Sequence, residues 1–361
     1  MEQAIGQTNL RKYHQTEGAS IFHNENMKEQ FGQYGKGYAT DKVLDSTYED
    51  LQKIDEYTSE FLKVCARTET DVLENYHQTA TVFKNSWMKM NEKTSSNKDL
   101  HFGHYKAGVQ SKANLIAHYV LAEIPFRTGY TLQRWKTATN IMLLKSSRVY
   151  DVNKLRTIVL YKADFNHNNK HFGRSFMKQV VTNGRLAKEQ YSAPGRKCID
   201  HAVNRRLIFD ISQYQKTSLA MTSCNLKSCY DRVVHTAAVL SLLGYGAPRE
   251  PLFSMFYAIQ HMRYTTRTVF GDSKDSVGGM EGFMSMPQGL GQGNGAAPPN
   301  WSGISSKMFE VLHKKNYRTS FLTPISYKEE KLCGLAYVDD TDMLVAIPET
   351  NDPEKTVERM Q

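Results

Sequence analysis

Two neighbouring carboxylates, Asp339 and Asp340, lie between two short apolar runs in this 361-residue sequence. Short β-prone runs joined by a tight acidic turn predict a β-hairpin. Carboxylates crowded at a hairpin tip repel each other, and a divalent cation that takes oxygen ligands would neutralise them. The alternative is an ordinary Asp-rich turn, since Asp favours turns on its own account. The preceding Tyr337 and Val338 and the rest of the chain favour the metal-binding interpretation.

Two further stretches have residue types that suit chemistry on phosphates. Residues 225–231 begin at the end of a predicted strand over 219–226 and contain an aromatic and an acidic side chain. Residues 289–298 are rich in glycine. The glycine-rich stretch lacks both the glycine spacing of a dinucleotide-binding turn and the Gly-Lys-Ser/Thr of a Walker A loop. It is therefore either a plain surface loop or a backbone that something bulky can approach closely.

Taken in order, the three stretches resemble the palm of a reverse transcriptase of the non-LTR retroelement group. The Tyr-x-Asp-Asp pattern of motif C falls on residues 337–340 and the Asp-x-x-x-x-aromatic pattern of motif A on 225–231. The Gln-Gly-x-x-x-Ser-Pro pattern of motif B falls on 292–298, and the resemblance covers about residues 100–350. Tyr-x-Asp-Asp alone is a weak signal. The ordered set, with a basic region ahead of it, is a strong one.

The resemblance implies an RNA-directed DNA polymerase, which adds deoxynucleoside triphosphates to a DNA primer on an RNA template by two-metal nucleotidyl transfer. Mg²⁺ or Mn²⁺ would be the cofactor, with Asp339 and Asp340 as its ligands and Asn225 at the motif A position. Tyr230 would lie beneath the incoming sugar and exclude a 2′-hydroxyl, although a buried core aromatic is the alternative. The other implied substrate-binding residues are Tyr337, Gln292, Gly293, Lys145 and Arg156. The last two would neutralise the triphosphate.

One departure from the family pattern matters more than the matches. Asn225 stands where motif A has its first aspartate. A neutral amide offers a weaker ligand than a carboxylate, and losing one preorganised electrostatic partner commonly costs several kcal/mol of barrier. Motif B also departs, because Ala297 stands where Ser is usual. We therefore expect an impaired polymerase, and an incomplete one, because we expect the palm to stop before the thumb.

The charge distribution leaves a second hypothesis open. Residues 134–216 contain 17 Lys and Arg against 5 Asp and Glu, in a chain of net charge +9. Such a basic block indicates a polyanionic partner, or a surface that only keeps the protein soluble. A non-catalytic nucleic-acid-binding remnant of a retroelement polymerase is therefore the alternative function. A metal-dependent phosphohydrolase shares the acidic turn, but it explains neither the Gln-Gly stretch nor Tyr230.

Cysteine usage and hydropathy bear on the compartment. The five cysteines include no Cys-x-x-Cys pair, which indicates a reducing, intracellular setting, in the cytoplasm or nucleus. The N-terminus has no signal-like apolar segment and no apolar run reaches membrane-spanning length, so we expect no membrane partner.

These elements predict an α+β fold, with polymerase fingers and a palm whose small antiparallel sheet is backed by helices. The motif A strand should lie beside the motif C hairpin. The expected divisions are a helical or loose N-terminal region over 1–100, basic fingers over 101–216 and a palm over 217–361. Local patterns also predict a polar loop over 164–170 and helices over 47–67, 172–186 and 198–212.

Overall fold

A computed structural model describes residues 42–47, 54–67, 76–145, 155–226, 229–279 and 289–347. Its helices are α1 (Glu56–Cys65), α2 (Ala80–Met88), α3 (Phe102–Gly108), α4 (Lys112–Thr128), α5 (Ala163–Thr182), α6 (Cys198–Gln215), α7 (Cys229–Arg232), α8 (His235–Gly244), α9 (Arg249–Gln260) and α10 (Ala297–Lys314). Its strands are β1 (Thr137–Leu144), β2 (Leu155–Leu160), β3 (Ser218–Asn225), β4 (Arg263–Thr268), β5 (Gly271–Asp272), β6 (Val277–Gly278), β7 (Thr319–Leu322), β8 (Glu329–Leu332), β9 (Gly334–Tyr337) and β10 (Asp340–Ile347). The mixed content agrees with the predicted α+β class. Residues 1–41 of the expected helical or loose N-terminal region lie outside the described residues.

The strands form three separate sheets within the described residues. The sheet that contains the acidic hairpin has the order β3, β10, β9, and both of its pairings are antiparallel. A larger sheet has the order β2, β1, β4, β5, with β6 also paired to β4. Its β1 and β4 run parallel, so this sheet joins segments from both sides of the expected division at residue 216. The third sheet is the β7–β8 pair.

The principal core lies among the helices, and α8 is its centre. Leu240, Leu242 and Leu243 of α8 are fully buried, together with Phe176 of α5 and Phe256 of α9. Burying one side chain of this size stabilises a fold by about 1.5–3 kcal/mol. This core joins α5, from one side of residue 216, to α8 and α9, from the other side.

The three-stranded sheet is covered on both faces. Ile208 and Ile211 of α6 pack with Leu344 of β10 on one face. On the other face, Phe309 of α10 packs with Met343, the next residue along the same strand. Successive side chains of a strand point to opposite faces, so this alternation fixes the register of β10 between two helices.

The predicted loop over 164–170 is wrong, because α5 already begins at Ala163. The polar side chains at the start of α5 have hydrogen-bond partners on distant segments. Because these partners satisfy them, this polar surface of the helix can be buried. Asp164 accepts a hydrogen bond from Trp135 Nε1 at 2.6 Å and pairs with Arg134. Asn168 Nδ2 donates to the carbonyl of Ala122 at 3.0 Å.

Two other predicted helices are present with shifted ends. Helix α1 lies in the second half of the predicted 47–67 segment and begins at Glu56. The Asp55 carboxylate, directly before it, accepts a hydrogen bond from the Thr58 amide at 2.8 Å. Such an N-cap satisfies an amide that the helix cannot. Helix α6 begins where the predicted 198–212 segment begins and ends three residues later. Ile199 and Val203 lie on the same side of this helix, and both are exposed to solvent.

Candidate functional site

The predicted acidic hairpin is present and its turn is strained. Tyr337 of β9 pairs with Asp340 of β10, which leaves Val338 and Asp339 as a two-residue turn. Val338 has φ +58°, a left-handed conformation that is unfavourable for a β-branched residue. Trp301 of α10 donates its Nε1–H to the Val338 carbonyl at 2.6 Å. The first turns of α10 therefore hold the turn in place.

Strand β3, which ends in the segment that resembles motif A, lies directly beside the hairpin, as the sequence predicted. Asn225, the last residue of β3, is the register partner of Asp340, the first residue of β10. The amide of Leu226 donates to the carbonyl of Asp339 at 3.5 Å. Directly opposed residues in antiparallel strands have Cβ atoms about 5 Å apart. The Asn225 amide and the acidic pair are therefore neighbours at one end of the sheet.

The third acidic residue of the hairpin, Asp342, has a different environment. It is 4 % exposed and accepts from the Ser223 hydroxyl at 2.5 Å. Arg205 Nε lies 3.4 Å and His201 Nε2 lies 3.6 Å from its other carboxylate oxygen. Since helix α6 already neutralises Asp342, any cation bound at the turn would depend on the other two carboxylates.

The glycine-rich stretch is a packed wall rather than a plain surface loop. The Val159 amide of β2 donates to the Gln292 carbonyl at 2.7 Å, and Asn166 Nδ2 of α5 donates to the Gly293 carbonyl at 2.9 Å. Gly293 has φ +121°, and a Cβ there would lie 2.3 Å from the Val159 carbonyl oxygen. Only glycine fits at this position without displacing the strand.

Short helix α7 positions Tyr230 between the acidic hairpin and the glycine-rich wall. The Tyr230 carbonyl accepts from the Leu290 amide at 2.6 Å. Burial raises the pKa of the Tyr230 phenol well above its usual range, and the neighbouring Cys229 and Asp339 act in the same direction. Burial, with the Asp339 carboxylate as the second cause, raises the pKa of the Cys229 thiol to about 12. The Asp339 carboxylate is therefore close enough to Tyr230 and Cys229 to raise the pKa of both side chains.

A single cleft of about 900 Å³ brings most of these residues together. Its lining contains Lys145, Arg156, Asn225, Leu226, Cys229, Tyr230, Gln292, Gly293, Asn294, Ala297, Pro298 and Asp339. Of the nine predicted site residues, Asp340 and Tyr337 are outside this lining and the other seven are within it. Both exceptions adjoin it, because they form the base of the hairpin turn.

The predicted basic pair stands on the β1–β2 side of the cleft. Arg156 lies on β2 opposite Leu143, and Lys145 follows the end of β1. Both side chains are exposed, and neither forms an ion pair within the part of the chain that the structure describes. The cleft therefore has cations on one side and the Asp339 carboxylate on the other. A polyanion that carries a divalent cation would complement that arrangement.

Asp339, Asp340 and the Asn225 carbonyl oxygen are the donors that could hold a divalent cation at this site. Hard cations such as Mg²⁺ accept one or two carboxylates together with water and phosphate oxygens, so this set suits one ion. It has no carboxylate at Asn225 for a second ion. Sequence reasoning missed Cys229, Asn294 and the Trp301 clamp. The first two lie within or next to the predicted stretches, so position alone could have indicated them.

Comparison with known proteins gives no match, either to a protein-family model or to a curated sequence. Among the helices that the structure describes, none is long and apolar enough to cross a membrane.

Proposed function

We propose that this chain is the fingers and palm region of a retroelement RNA-directed DNA polymerase, impaired at its motif A position. One observation carries the proposal. Seven residues expected from four separated stretches of sequence line the same cleft. The four stretches lie far apart in the chain, and the basic, acidic and aromatic side chains of the lining suit a nucleoside triphosphate.

In the proposed reaction, each wall of the cleft has a distinct task. Lys145 and Arg156 bind the triphosphate of the incoming deoxynucleotide, Arg156 through a two-pronged contact. Tyr230 supports the sugar, and the glycine backbone around Gly293 allows the nucleotide and template to approach closely. Asp339 and Asp340 would hold Mg²⁺ or Mn²⁺, which would supply charge neutralisation for in-line displacement at phosphorus.

Asn225 explains why the proposal specifies an impaired enzyme. It is the partner of Asp340 across β3 and β10, where a second metal-binding carboxylate would be needed. Its neutral amide leaves charge on the reacting phosphate less compensated. Removing one preorganised electrostatic group commonly lowers kcat by about 10²–10³.

A non-catalytic nucleic-acid-binding remnant is the second candidate, and Asn225 is the observation that favours it. This candidate retains the exposed cations of the cleft and the basic block over 134–216, while the chemistry is lost. It predicts binding to RNA–DNA hybrids that weakens steeply with salt, because phosphate contacts release counterions. It also predicts no dependence of function on Mg²⁺.

Primer extension on an RNA template in Mg²⁺ or Mn²⁺ tests the two candidates. We expect Asn225→Asp to extend a DNA primer about 10²–10³ times faster than the unchanged chain. The matched control is Asn225→Asp combined with Asp339→Asn, which should lose the gain. Equal, robust extension by the unchanged chain and Asn225→Asp would contradict the impairment. Salt-sensitive binding with no extension by either would favour the remnant.

A further inference from the structure

We infer that Glu189, His313 and Cys333 bind a zinc ion at a site separate from the proposed polymerase cleft. Their ligand atoms all lie within 4.8 Å of one another. They come from three parts of the fold: the segment before α6, the last turn of α10, and the residue before β9. A carboxylate, an imidazole and a thiolate are the ligand types that Zn²⁺ takes in proteins.

One oxygen of the buried Glu189 carboxylate has a histidine and a thiol beside it, and the other has no partner among the described residues. Glu189 and Cys333 are each 1 % exposed. Glu189 Oε1 lies 2.6 Å from His313 Nε2 and accepts from the Cys333 thiol at 3.8 Å. Its second oxygen, Oε2, is buried and has no hydrogen-bond partner among the described residues. A buried carboxylate oxygen without a partner is costly, and a cation bound to Oε2 would remove that cost.

The charges of this set match one zinc ion. A Glu189 carboxylate and a Cys333 thiolate together neutralise Zn²⁺, and a neutral His313 adds no charge, so the buried site is neutral overall. The Cys333 S–H bond breaks as the zinc–sulfur bond forms, and the proton passes to solvent. Mg²⁺ and Ca²⁺ require more oxygen ligands than this set offers. Thiolate and imidazole ligands together favour zinc over those ions.

The three ligand atoms lie near one another, with no separation above 4.8 Å. Zinc bonds of about 2.0–2.3 Å place tetrahedral ligand atoms roughly 3.3–3.8 Å apart. The Cys333–Glu189 separation of 3.8 Å already fits, and the His313–Glu189 contact of 2.6 Å must open by about 1 Å. The His313 side chain is 27 % exposed, so water can reach the fourth position from that side.

The location of the trio gives the zinc a structural task. Helix α10 begins at Ala297 in the lining of the cleft and ends beside the trio, and β9 leads from the trio to the Asp339 turn. Trp301 already joins these two elements near the cleft. Zinc would join their other ends, roughly 15 Å away along β9. The ion would therefore hold the acidic hairpin against α10 without contacting substrate.

Metal content of tag-free chain tests this inference without any measurement of polymerase activity. After incubation with ZnCl₂ and gel filtration, we expect one zinc ion per chain and a melting temperature several degrees above the metal-free protein. His313→Asn and Cys333→Ala should lose both effects. Cys65→Ala, which changes another buried cysteine, and Asp339→Asn, which changes the cleft, should keep the zinc.

Cobalt substitution keeps the inference testable if a variant does not fold. Co²⁺ bound to the unchanged chain should give the intense visible bands of a tetrahedral ion and a near-ultraviolet thiolate-to-metal charge-transfer band. Absence of both zinc retention and these bands from the folded, unchanged chain would overturn the site. If folded His313→Asn and Cys333→Ala retained as much zinc as the unchanged chain, that result would overturn the site as well. Neither result bears on nucleotidyl transfer, so the two proposals fail independently.

Discussion

Asn225 and Asp340 are register partners in strands β3 and β10, so a neutral amide faces a carboxylate across the sheet. Asp339 is the next residue in the turn. A carboxylate at position 225 would place a third negative charge in this small region. Like charges directly opposed across strands destabilise a sheet unless a cation lies between them. The amide thus stabilises a metal-free hairpin at the expense of metal affinity.

Asn225→Asp should make the stability of the protein depend on Mg²⁺. Without divalent cations, we expect the variant to melt a few degrees below the unchanged chain, because the added charge repels its neighbours. Saturating Mg²⁺ should restore the loss, because an ion that binds only the folded state stabilises it. Thermal melts in EDTA and in MgCl₂ measure both effects. Asn225→Ala is the control, and an equal response to Mg²⁺ in that variant would contradict the prediction.

We expect Arg156→Ala and Lys145→Ala to lower the affinity for an RNA–DNA hybrid. We also expect each to make that affinity less dependent on salt concentration. Each exposed cation that contacts a phosphate contributes about one unit to the slope of log K against log[salt]. Titrations at several salt concentrations should therefore give a slope smaller by about 1 for each variant. Lys112→Ala is the control, since Lys112 is exposed on α4 and lies outside the cleft lining. An unchanged slope in both cleft variants would remove these residues from the interface.

Sequence patterns sufficed where the determinants were local. The acidic turn with apolar flanks predicted the β9–β10 hairpin, and the strand that ends at Asn225 was predicted to within one residue at each end. The resemblance to family motifs was the basis for grouping the site residues, because local propensity gives no information on which distant segments meet. That Asp340 faces Asn225 is an example, since the two lie far apart in the chain and meet through one strand pairing.

The remaining features depended on contacts between distant segments. The polar residues near Asp164 belong to a helix because Trp135, Arg134 and Ala122 supply their partners, and local polarity gives no sign of this. The parallel pairing of β1 with β4 is equally non-local. No period or spacing in the sequence could have placed these segments side by side. The same is true of the Glu189, His313 and Cys333 trio.

Gly293→Ala should destabilise the protein much more than Gly184→Ala. Both glycines have positive φ, at +121° and +63°, but a Cβ at position 184 has nothing within 4 Å. The control should therefore lose only the backbone preference, about 1–2 kcal/mol. At position 293 the methyl group must also displace the Val159 carbonyl, which raises the loss to about 3 kcal/mol or more. Urea unfolding measures both. Similar losses of unfolding free energy in the two variants would contradict the prediction, because they would mean that the backbone around Gly293 moves to accept a Cβ at little cost.

His167 should make the protein less stable as the pH falls. Its ring is 3 % exposed, stacks on Trp87 with centroids 4.0 Å apart, and lies 2.8 Å from the Ser86 hydroxyl. Burial, followed by the charges of His171 and Lys170, lowers its pKa from 6.5 to about 3. Between those two values the unfolded chain binds a proton that the folded chain does not.

The stabilising contribution of neutral His167 is therefore complete above about pH 6.5 and declines by roughly 1.4 kcal/mol for each pH unit below it. His167→Phe keeps an aromatic ring on Trp87 and has no titratable group, so it should show a shallower loss of stability over this range. The measurement is urea unfolding followed by tryptophan fluorescence, in steps of about one pH unit below pH 7. The difference between the two proteins isolates this histidine from the others that titrate. Parallel pH profiles would show that His167 accepts its proton without unfolding the surrounding core.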